Sequence, residues 1–171
     1  QERYFKMSKT IICKDVFGKS YNVYVEDLGL RVGVYAVIVE KGKILLARQW
    51  GGYSLIGGGL ELGETLNEAI IREVKEETGL EFTPDKIIHH ATTFFKRDEK
   101  SPACQSVQLY FTHNSLSGEI KNHALTESEK TYTNTAPEWV DLNRIDKIKF
   151  RHSVDLSTIM KAYEEYISHK K

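Results

Sequence analysis

The stretch GGGLELGETLNEAIIREVKEETGL, residues 57–80, constrains the fold more than any other part of this chain. Its glycine-rich beginning is typical of a loop rather than of a regular element. Thr65 is a good helix N-cap, and Glu68 three residues later completes a capping box. Gly79 is a typical residue for ending a helix. The stretch therefore predicts a glycine loop that leads directly into a helix between Thr65 and Gly79.

Three glutamates of this predicted helix lie where a surface helix does not normally carry charge. At about 100° per residue, Glu73, Glu76 and Glu77 fall on the same half of the helix as its apolar side chains. Those side chains are Leu66, Ala69 and Ile70. Repulsion, the helix dipole and above all desolvation, on the order of several kcal/mol for an unpaired carboxylate, oppose this arrangement. The alternative, a solvated face, is the usual interpretation of charged helix residues, but a bound divalent cation explains an inward cluster better.

Carboxylates at positions i, i+3 and i+4 project from one turn and can share one or two cations. Ligation by oxygen alone favours Mg²⁺ or Mn²⁺ over zinc, and such ions commonly bind substrate phosphate as well. Gly57, Gly58, Gly59 and Gly63 would let the backbone approach the metal and the phosphates closely. The pattern therefore predicts phosphoryl chemistry.

Composition limits the partners of the chain. Its 171 residues fit one domain, and 24 basic residues balance 24 acidic ones, which argues against stable nucleic-acid binding. No stretch approaches the roughly 20 apolar residues of a membrane span. Cys13 and Cys104 are too few for a disulfide framework. With no apolar secretion signal at the start, we expect a cytoplasmic protein without a membrane role.

Alternating apolar residues predict most of the remaining elements. Residues 9–26 predict an N-terminal hairpin that turns at Asp15 to Lys19, and residues 31–49 predict a second hairpin that turns at residues 40–43. Further strands are expected at residues 86–95 and 104–112, with a short one at WVDL, residues 139–142. A long polar loop is expected from Ser115 to Ala136, and an amphipathic helix after the N-cap candidate Ser153.

Residues 58–80, GGLELGETLNEAIIREVKEETGL, resemble the signature of the Nudix (MutT-like) hydrolases. The positions that match the family pattern are Gly58, Glu64, Arg72, Glu73, Val74, Glu76, Glu77, Gly79 and Leu80. Ile56 stands where the family often has a proline, which concerns the stiffness of the loop more than the chemistry. The resemblance implies one Nudix domain over residues 1–171, an α/β/α sandwich with a mixed β-sheet, preceded by the hairpin extension at residues 1–27.

The same resemblance implies roles for individual residues. Glu73, Glu76 and Glu77 correspond to metal ligands for Mg²⁺ or Mn²⁺, with the Gly57 carbonyl as a further ligand. Glu64 and Arg72 correspond to residues that orient those ligands. A water-activating base comes either from the box glutamates or from a distant loop. Its loop candidates here are Glu127 and Glu129, ranked above Glu138.

The reaction implied is attack of metal-bound water on phosphorus in a nucleoside diphosphate linked to another group. Arg48, at a strand end, is expected to meet a phosphate, and Gly58 to let the substrate approach the backbone. Trp50 and Tyr53 could stack on a base, although ordinary packing is the more common role of aromatic residues.

Several alternatives stay open at the level of sequence. The substrate is a nucleoside triphosphate, ADP-ribose, a nucleotide sugar or a dinucleoside polyphosphate. A non-catalytic nucleotide-binding sensor is the alternative function, although every box carboxylate is present. The N-terminal hairpin either forms a homodimer interface or extends the sheet of a monomer.

Overall fold

The computed structural model describes residues 9–121 and 136–170, which contain ten β-strands and two α-helices. The strands are β1 (Thr10–Lys14), β2 (Ser20–Tyr24), β3 (Leu28–Ala36), β4 (Val39–Glu40), β5 (Lys43–Gln49), β6 (Gly52–Ser54), β7 (Ile56–Gly59), β8 (Glu81–Lys96), β9 (Ala103–Ser117) and β10 (Glu138–Asp141). The helices are α1 (Leu66–Thr78) and α2 (Leu156–His169). In the described part of the chain, neither helix has the length and apolar character needed to cross a membrane.

Six of the strands form one mixed sheet in the order β2-β1-β8-β9-β3-β7. Within it β3 runs parallel to β9 and antiparallel to β7, and β8 runs antiparallel to β9. A smaller sheet has the order β10-β5-β4, and β6 pairs with β5. Mixed sheets covered by helices are the expected α/β/α arrangement, so the fold class implied by the resemblance is confirmed.

The two helices pack against separate apolar clusters because neighbouring residues of a strand point to opposite faces of the sheet. Val34 of β3 belongs to the cluster that includes Ile70 and Val74 of α1. The next residue, Tyr35, belongs to the cluster that includes Ile159 of α2. Ile70 and Ile159 are completely buried, and truncation of either to alanine would cost about 2–5 kcal/mol of stability.

Helix α1 begins and ends as the sequence predicts. The Thr65 hydroxyl accepts a hydrogen bond from the Glu68 N–H, and the Glu68 carboxylate accepts one from the Thr65 N–H at 2.7 Å. Gly79 ends the helix in the left-handed conformation, with φ of 78°. These local contacts satisfy polar groups that every helix end exposes, and they fix where the glutamates of the last turns lie.

The N-terminal hairpin is also present and extends the main sheet. The Asp15 carboxylate accepts hydrogen bonds from the N–H groups of Phe17 and Lys19 at 2.8 and 2.9 Å, and Gly18 takes the positive φ of the turn. Strand β1 then joins the sheet through the pair Lys14 and Phe95 of β8. The hairpin tip is therefore held near the chain turn between β8 and β9.

The second predicted hairpin is only partly right. Val39 and Glu40 do pair with β5 around the turn at Lys41 and Gly42. The longer apolar run before them, β3, instead pairs with β7 and β9 in the main sheet. Strand β3 is thus paired on both sides, with β7 and β9, and does not fold back on β5. The chain passes from the main sheet to the smaller sheet at residues 37–38.

Three other predicted boundaries are wrong. Residues 57–59 belong to strand β7 rather than to a loop, because they pair with β3. Strands β8 and β9 are longer than predicted, and β9 takes the first residues of the expected polar loop. The N-cap of α2 is Asp155, whereas the Ser153 hydroxyl accepts a hydrogen bond from the Gln108 amide.

Candidate active site

The three box glutamates differ in burial. Glu73 is 7% exposed, Glu77 is half-buried, and the Glu76 side chain is 55% exposed. The prediction that all three point inward is therefore correct for Glu73 and Glu77 and wrong for Glu76, which lies at the outer edge of the helix face. A carboxylate as buried as Glu73 requires compensating partners.

Arg72 supplies one such partner and links the glutamates. Its Nε and Nη2 donate to the two oxygens of Glu64 at 2.6 and 2.9 Å, a bidentate ion pair. Its Nη1 donates to Glu73 at 2.9 Å and to Glu76 at 3.2 Å. The hydrogen bonds from Arg72 lower the pKa of Glu64 to about 2, and Glu64 in turn raises the pKa of Arg72. Arg72 is thus bonded to Glu64, Glu73 and Glu76 at once, and the orienting role that the resemblance implies for Glu64 and Arg72 stays a prediction.

The glycines of β7 bring the backbone against these carboxylates. A Cβ atom at Gly58 would lie 2.4 Å from Oε1 of Glu73, so no larger residue fits there without displacing the carboxylate. Gly57 has φ of 142° and donates its N–H to Glu77 at 3.2 Å. Arg72 Nη2 donates to the Gly59 carbonyl at 3.0 Å. The edge strand is therefore bonded directly to the helix that carries the acidic residues.

A cavity of about 610 Å³ opens beside β7, and both Glu73 and Glu77 line one end of it. Its volume is typical of a small-molecule site. Helix α1 and the rings of Tyr35 and Tyr110 pack on opposite faces of the main sheet. The carboxylates still reach the cavity because residues 57–59 of the edge strand carry no side chains.

Three arginines that the sequence did not single out line the same cavity: Arg31, Arg97 and Arg151. Arg31 lies on β3 and donates to the Tyr35 hydroxyl at 3.2 Å, and its Nη2 would lie 3.6 Å from a Cβ atom added at Gly59. Arg97 follows β8 and contacts Asp98 and Ser101, both at 3.2 Å. Fixed guanidinium groups near a cluster of carboxylates suit a phosphate-bearing ligand that also carries a cation.

Comparison with known proteins identifies the family of this chain. A model described as NUDIX domain matches residues 27–161. An ADP-ribose pyrophosphatase from Methanocaldococcus jannaschii is 30% identical over 161 residues, which cover 91% of this chain and 86% of that protein. The chain belongs to the NUDIX family. It is accordingly a hydrolase of the kind that cleaves pyrophosphate bonds.

Solved structures support the Nudix fold. A MutT protein from Methanosarcina mazei has a TM-score of 0.59 and 23% identity, and the match covers 85% of this chain and 98% of that one. A NUDIX hydrolase from Nitrosomonas europaea has a TM-score of 0.59 and 22% identity, over 84% of this chain and 92% of that one. The N-terminal hairpin of the present Nudix chain, β1 and β2, precedes the residues that the family model matches.

Only some of the substrate-binding residues suggested by the sequence line the cavity. Trp50 and Gly58 line the cavity, whereas Arg48 and Tyr53 are absent from its lining. Arg48 lies over the Tyr53 ring at 4.7 Å and forms an ion pair with Glu138 at 3.7 Å. The Tyr53 hydroxyl donates to the same glutamate at 3.1 Å.

The candidate bases fare differently. Glu138, the lowest ranked, is held by Arg48 and Tyr53 and is not among the residues that line the cavity. Glu127 and Glu129 lie outside the described residues. The assignment of the base to one of them stays a prediction.

The donor set suits a hard cation, although its ligands are not gathered in advance. Within residues 9–121 and 136–170, no three acidic, histidine or cysteine side chains converge closely enough to hold a metal ion. Glu64, Glu73 and Glu76 nevertheless all bond to Arg72, Glu77 accepts from the Gly57 N–H, and one guanidinium leaves these four carboxylates net negative. Their oxygen atoms fit Mg²⁺ or Mn²⁺, which bind carboxylate and phosphate oxygens.

Proposed function

We propose that this protein is a Mg²⁺- or Mn²⁺-dependent pyrophosphohydrolase that cleaves nucleoside diphosphates linked to another group, with ADP-ribose as the first substrate to test. The observation that carries this proposal is that Glu73 and Glu77 share one cavity with Arg31, Arg97 and Arg151. The identity to an ADP-ribose pyrophosphatase over nearly the whole chain supports the choice of ADP-ribose.

Each part of the site has a separate task in this proposal. Glu73, Glu77 and, from the rim, Glu76 would hold the cation, which when bound neutralises phosphate charge and makes water a better nucleophile. The Gly57 carbonyl is the further ligand that the family resemblance implies. Arg72 keeps Glu73 and Glu76 in place, and Glu64 keeps Arg72 in place through its bidentate pair.

Arg31 and Arg97 would bind the phosphates of the substrate. Their guanidinium groups are permanently charged and offer paired N–H donors that match phosphate oxygens. In the reaction, a water oxygen forms a new bond to phosphorus, the bridging P–O bond breaks, and the departing phosphate keeps the bridging oxygen. Glu127 or Glu129 would accept the proton of that water, as the family resemblance suggests.

The test is a substrate panel of ADP-ribose, dATP, UDP-glucose and diadenosine tetraphosphate, with and without Mg²⁺ or Mn²⁺. Mass spectrometry of the products should find AMP and ribose 5-phosphate from ADP-ribose, formed only with a divalent ion. Hydrolysis in ¹⁸O-labelled water identifies the phosphorus atom that is attacked. The Glu77→Gln protein, purified in parallel, controls for contaminating phosphatases.

Two results would contradict the proposal. Cleavage that is unaffected by removing divalent ions would remove the cation from the reaction. An uncleaved panel at high enzyme concentration, together with retained ADP-ribose binding, would favour the alternative of a nucleotide sensor. The proposed homodimer through the N-terminal hairpin and the cytoplasmic location are separate questions that neither result affects.

A further inference from the structure

Two buried polar atoms of the cavity have no hydrogen-bond partner among the described residues. They are Ser106 Oγ and Arg151 Nε, and both side chains line the cavity. Ser106 is only 2% exposed. Within residues 9–121 and 136–170 the one other such atom, His113 Nδ1, lies elsewhere, beside the Phe82 ring. Because buried polar groups nearly always have a partner, these two atoms offer hydrogen-bonding capacity to a polar molecule that enters the cavity.

Ser106 lies well away from the acidic end of the cavity. It is on β9, opposite Arg31 of β3, and β3 separates β9 from β7. Adjacent strands are about 4.8 Å apart, so Ser106 is about 10 Å from the glycines of β7. One molecule that contacts both places must be extended, as a nucleoside diphosphate is.

The polar groups next to Ser106 on the same face of β9 are already satisfied. The Tyr110 hydroxyl donates to Gln108 Oε1 at 2.6 Å. The Gln108 amide donates to the Ser153 hydroxyl, also at 2.6 Å. These bonds engage the Gln108 amide and the proton of Tyr110, and neither group bonds to Ser106 Oγ.

His152 extends this network in one defined tautomer. The Tyr110 proton goes to Gln108, so the Tyr110 oxygen accepts from His152 Nε2, which lies 2.9 Å away. The hydrogen is therefore on Nε2, and Nδ1 accepts from the Ser54 hydroxyl at 3.4 Å. Burial against the tyrosine rings keeps the imidazole neutral, with its pKa lowered to about 3. These hydrogen bonds link His152, Tyr110, Gln108 and Ser153 into one neutral network, whereas Ser106 Oγ and Arg151 Nε have no partner in the described part of the chain.

Aromatic rings border the same part of the cavity. Trp50 and Phe95 belong to its lining. The Arg151 guanidinium lies over the ring of Phe17 at 5.0 Å, and Trp50 meets that ring edge-on at 6.5 Å. Phe17 comes from the N-terminal hairpin, which precedes the region that the family model matches. Flat apolar walls combined with buried hydrogen-bonding atoms suit a planar heterocycle.

We propose that this end of the cavity binds the nucleobase of the substrate, and that Ser106 and Arg151 determine its recognition. Arg151 Nε is a donor only, so it pairs with a ring nitrogen or carbonyl oxygen of the base. The Ser106 hydroxyl either donates or accepts, and Trp50 contacts the face of the ring. This inference rests on the proposed function, because it leaves Arg31, Arg97 and the glutamates for the phosphates of the same molecule.

Binding of adenosine, which has no phosphate, tests the base site without hydrolysis. The chain has two tryptophans, Trp50 and Trp139, and Trp139 packs against the core on the α1 side. In a Trp139→Phe background, adenosine should quench the fluorescence of Trp50, whereas ribose 5-phosphate should not. Ser106→Ala and Arg151→Lys should each raise the dissociation constant for adenosine about three- to tenfold, as expected for one hydrogen bond.

Matched controls and a second readout keep this test decisive. Ser157→Ala and Arg144→Lys change exposed residues outside the cavity lining and should leave adenosine binding unchanged. In turnover, Ser106→Ala should raise KM for ADP-ribose by the same factor and leave kcat within about twofold. Circular dichroism establishes that each variant is folded. Where Ser106→Ala does not fold, Arg151→Lys provides the test.

Adenosine binding that is no stronger than ribose 5-phosphate binding, or is unaffected by both substitutions, would overturn the base site. Failure of the proposed function is recognised separately. If no compound of the panel is cleaved while adenosine binding depends on Ser106 and Arg151, the nucleoside site stands and the hydrolase proposal falls. If ADP-ribose is cleaved and both variants bind adenosine normally, the hydrolase proposal stands and the nucleobase site falls.

Discussion

Gly58 leaves the space that the Glu73 carboxylate occupies: a Cβ at position 58 would lie 2.4 Å from Oε1 of Glu73. This contact joins the edge strand of the main sheet to the helix that carries the acidic residues. Gly58 does not have a positive φ, so its backbone conformation does not require a glycine. The lack of space beside Glu73 does require one.

We expect Gly58→Ala to displace Glu73 and to lower kcat for the preferred substrate at least about tenfold, since misplacement of about 1 Å in an active site can cost more than this. Gly42→Ala is the control. Gly42 has φ of 75° and open space around it, so this variant should lose about 1 kcal/mol of stability and keep its activity. Steady-state kinetics and urea unfolding of both proteins provide the measurement. Equal kcat for Gly58→Ala and the wild type would contradict the importance of this contact.

The acidic end of the cavity should bind Mn²⁺ in solution. Glu77→Gln and Glu73→Gln should each weaken Mn²⁺ binding at least about tenfold, because each removes a carboxylate oxygen donor from the lining of the cavity. Glu99→Gln is the matched control, since Glu99 is an exposed partner of Lys19 and lies outside this cavity. Isothermal titration calorimetry measures all four proteins. Unchanged affinity in both site variants would remove the metal assignment.

The local part of the site could be predicted from sequence, because its signals lie within one or two helical turns. Thr65, Glu68 and Gly79 determine where α1 begins and ends, and the spacing of Glu73 and Glu77 then places both on the buried side. The prediction for Glu76 is wrong because a helical wheel gives the direction of a side chain. It does not show how far neighbouring elements cover that side of the helix. The Glu76 side chain is 55% exposed and pairs with Arg72.

The rest of the site depends on pairing between distant strands. Arg31 meets Ser106 because β3 and β9 are in parallel register, and Arg151 arrives from the segment that precedes α2. Neither arginine belongs to a motif, so no local pattern indicates it. One usable signal was the alternation of Arg31, Gly33 and Tyr35 along β3, which places Arg31 on the face of the cavity once that strand is known.

Arg31 and Arg48 are alternative phosphate contacts, the first indicated by the structure and the second by the sequence. Arg31→Gln should raise KM about 10- to 100-fold, as expected for one charged hydrogen bond to phosphate, because its guanidinium lines the cavity. Arg48→Gln should change KM by less than about twofold, because Arg48 is directed at Tyr53 and Glu138 on the exposed surface. Steady-state kinetics with the preferred substrate distinguishes the two variants. A larger increase in KM for Arg48→Gln than for Arg31→Gln would support Arg48 as the phosphate contact, as the sequence suggested.

The bidentate pair of Glu64 and Arg72 should make stability depend on acid pH. The pKa of Glu64 is lowered to about 2 from an ordinary value of 4.5, mainly by the hydrogen bonds from Arg72. A carboxyl group with a lowered folded-state pKa stabilises the fold fully above its unfolded value. That contribution is lost as pH falls through the folded value, so it should be complete above about pH 4.5 and absent near pH 2.

Urea unfolding of the wild type and Glu64→Gln between pH 3 and pH 7 measures this contribution. The difference in unfolding free energy should be largest and constant near neutral pH, and should shrink as pH falls below about 4.5. Glu61→Gln is the control, because Glu61 is an exposed neighbour outside the Arg72 ion pairs and should give no such pH-dependent difference. A difference for Glu64→Gln that stays the same from pH 7 to pH 3 would mean that its charge does not stabilise the fold. The carboxylates of α1 would then be held by Arg72 without help from Glu64.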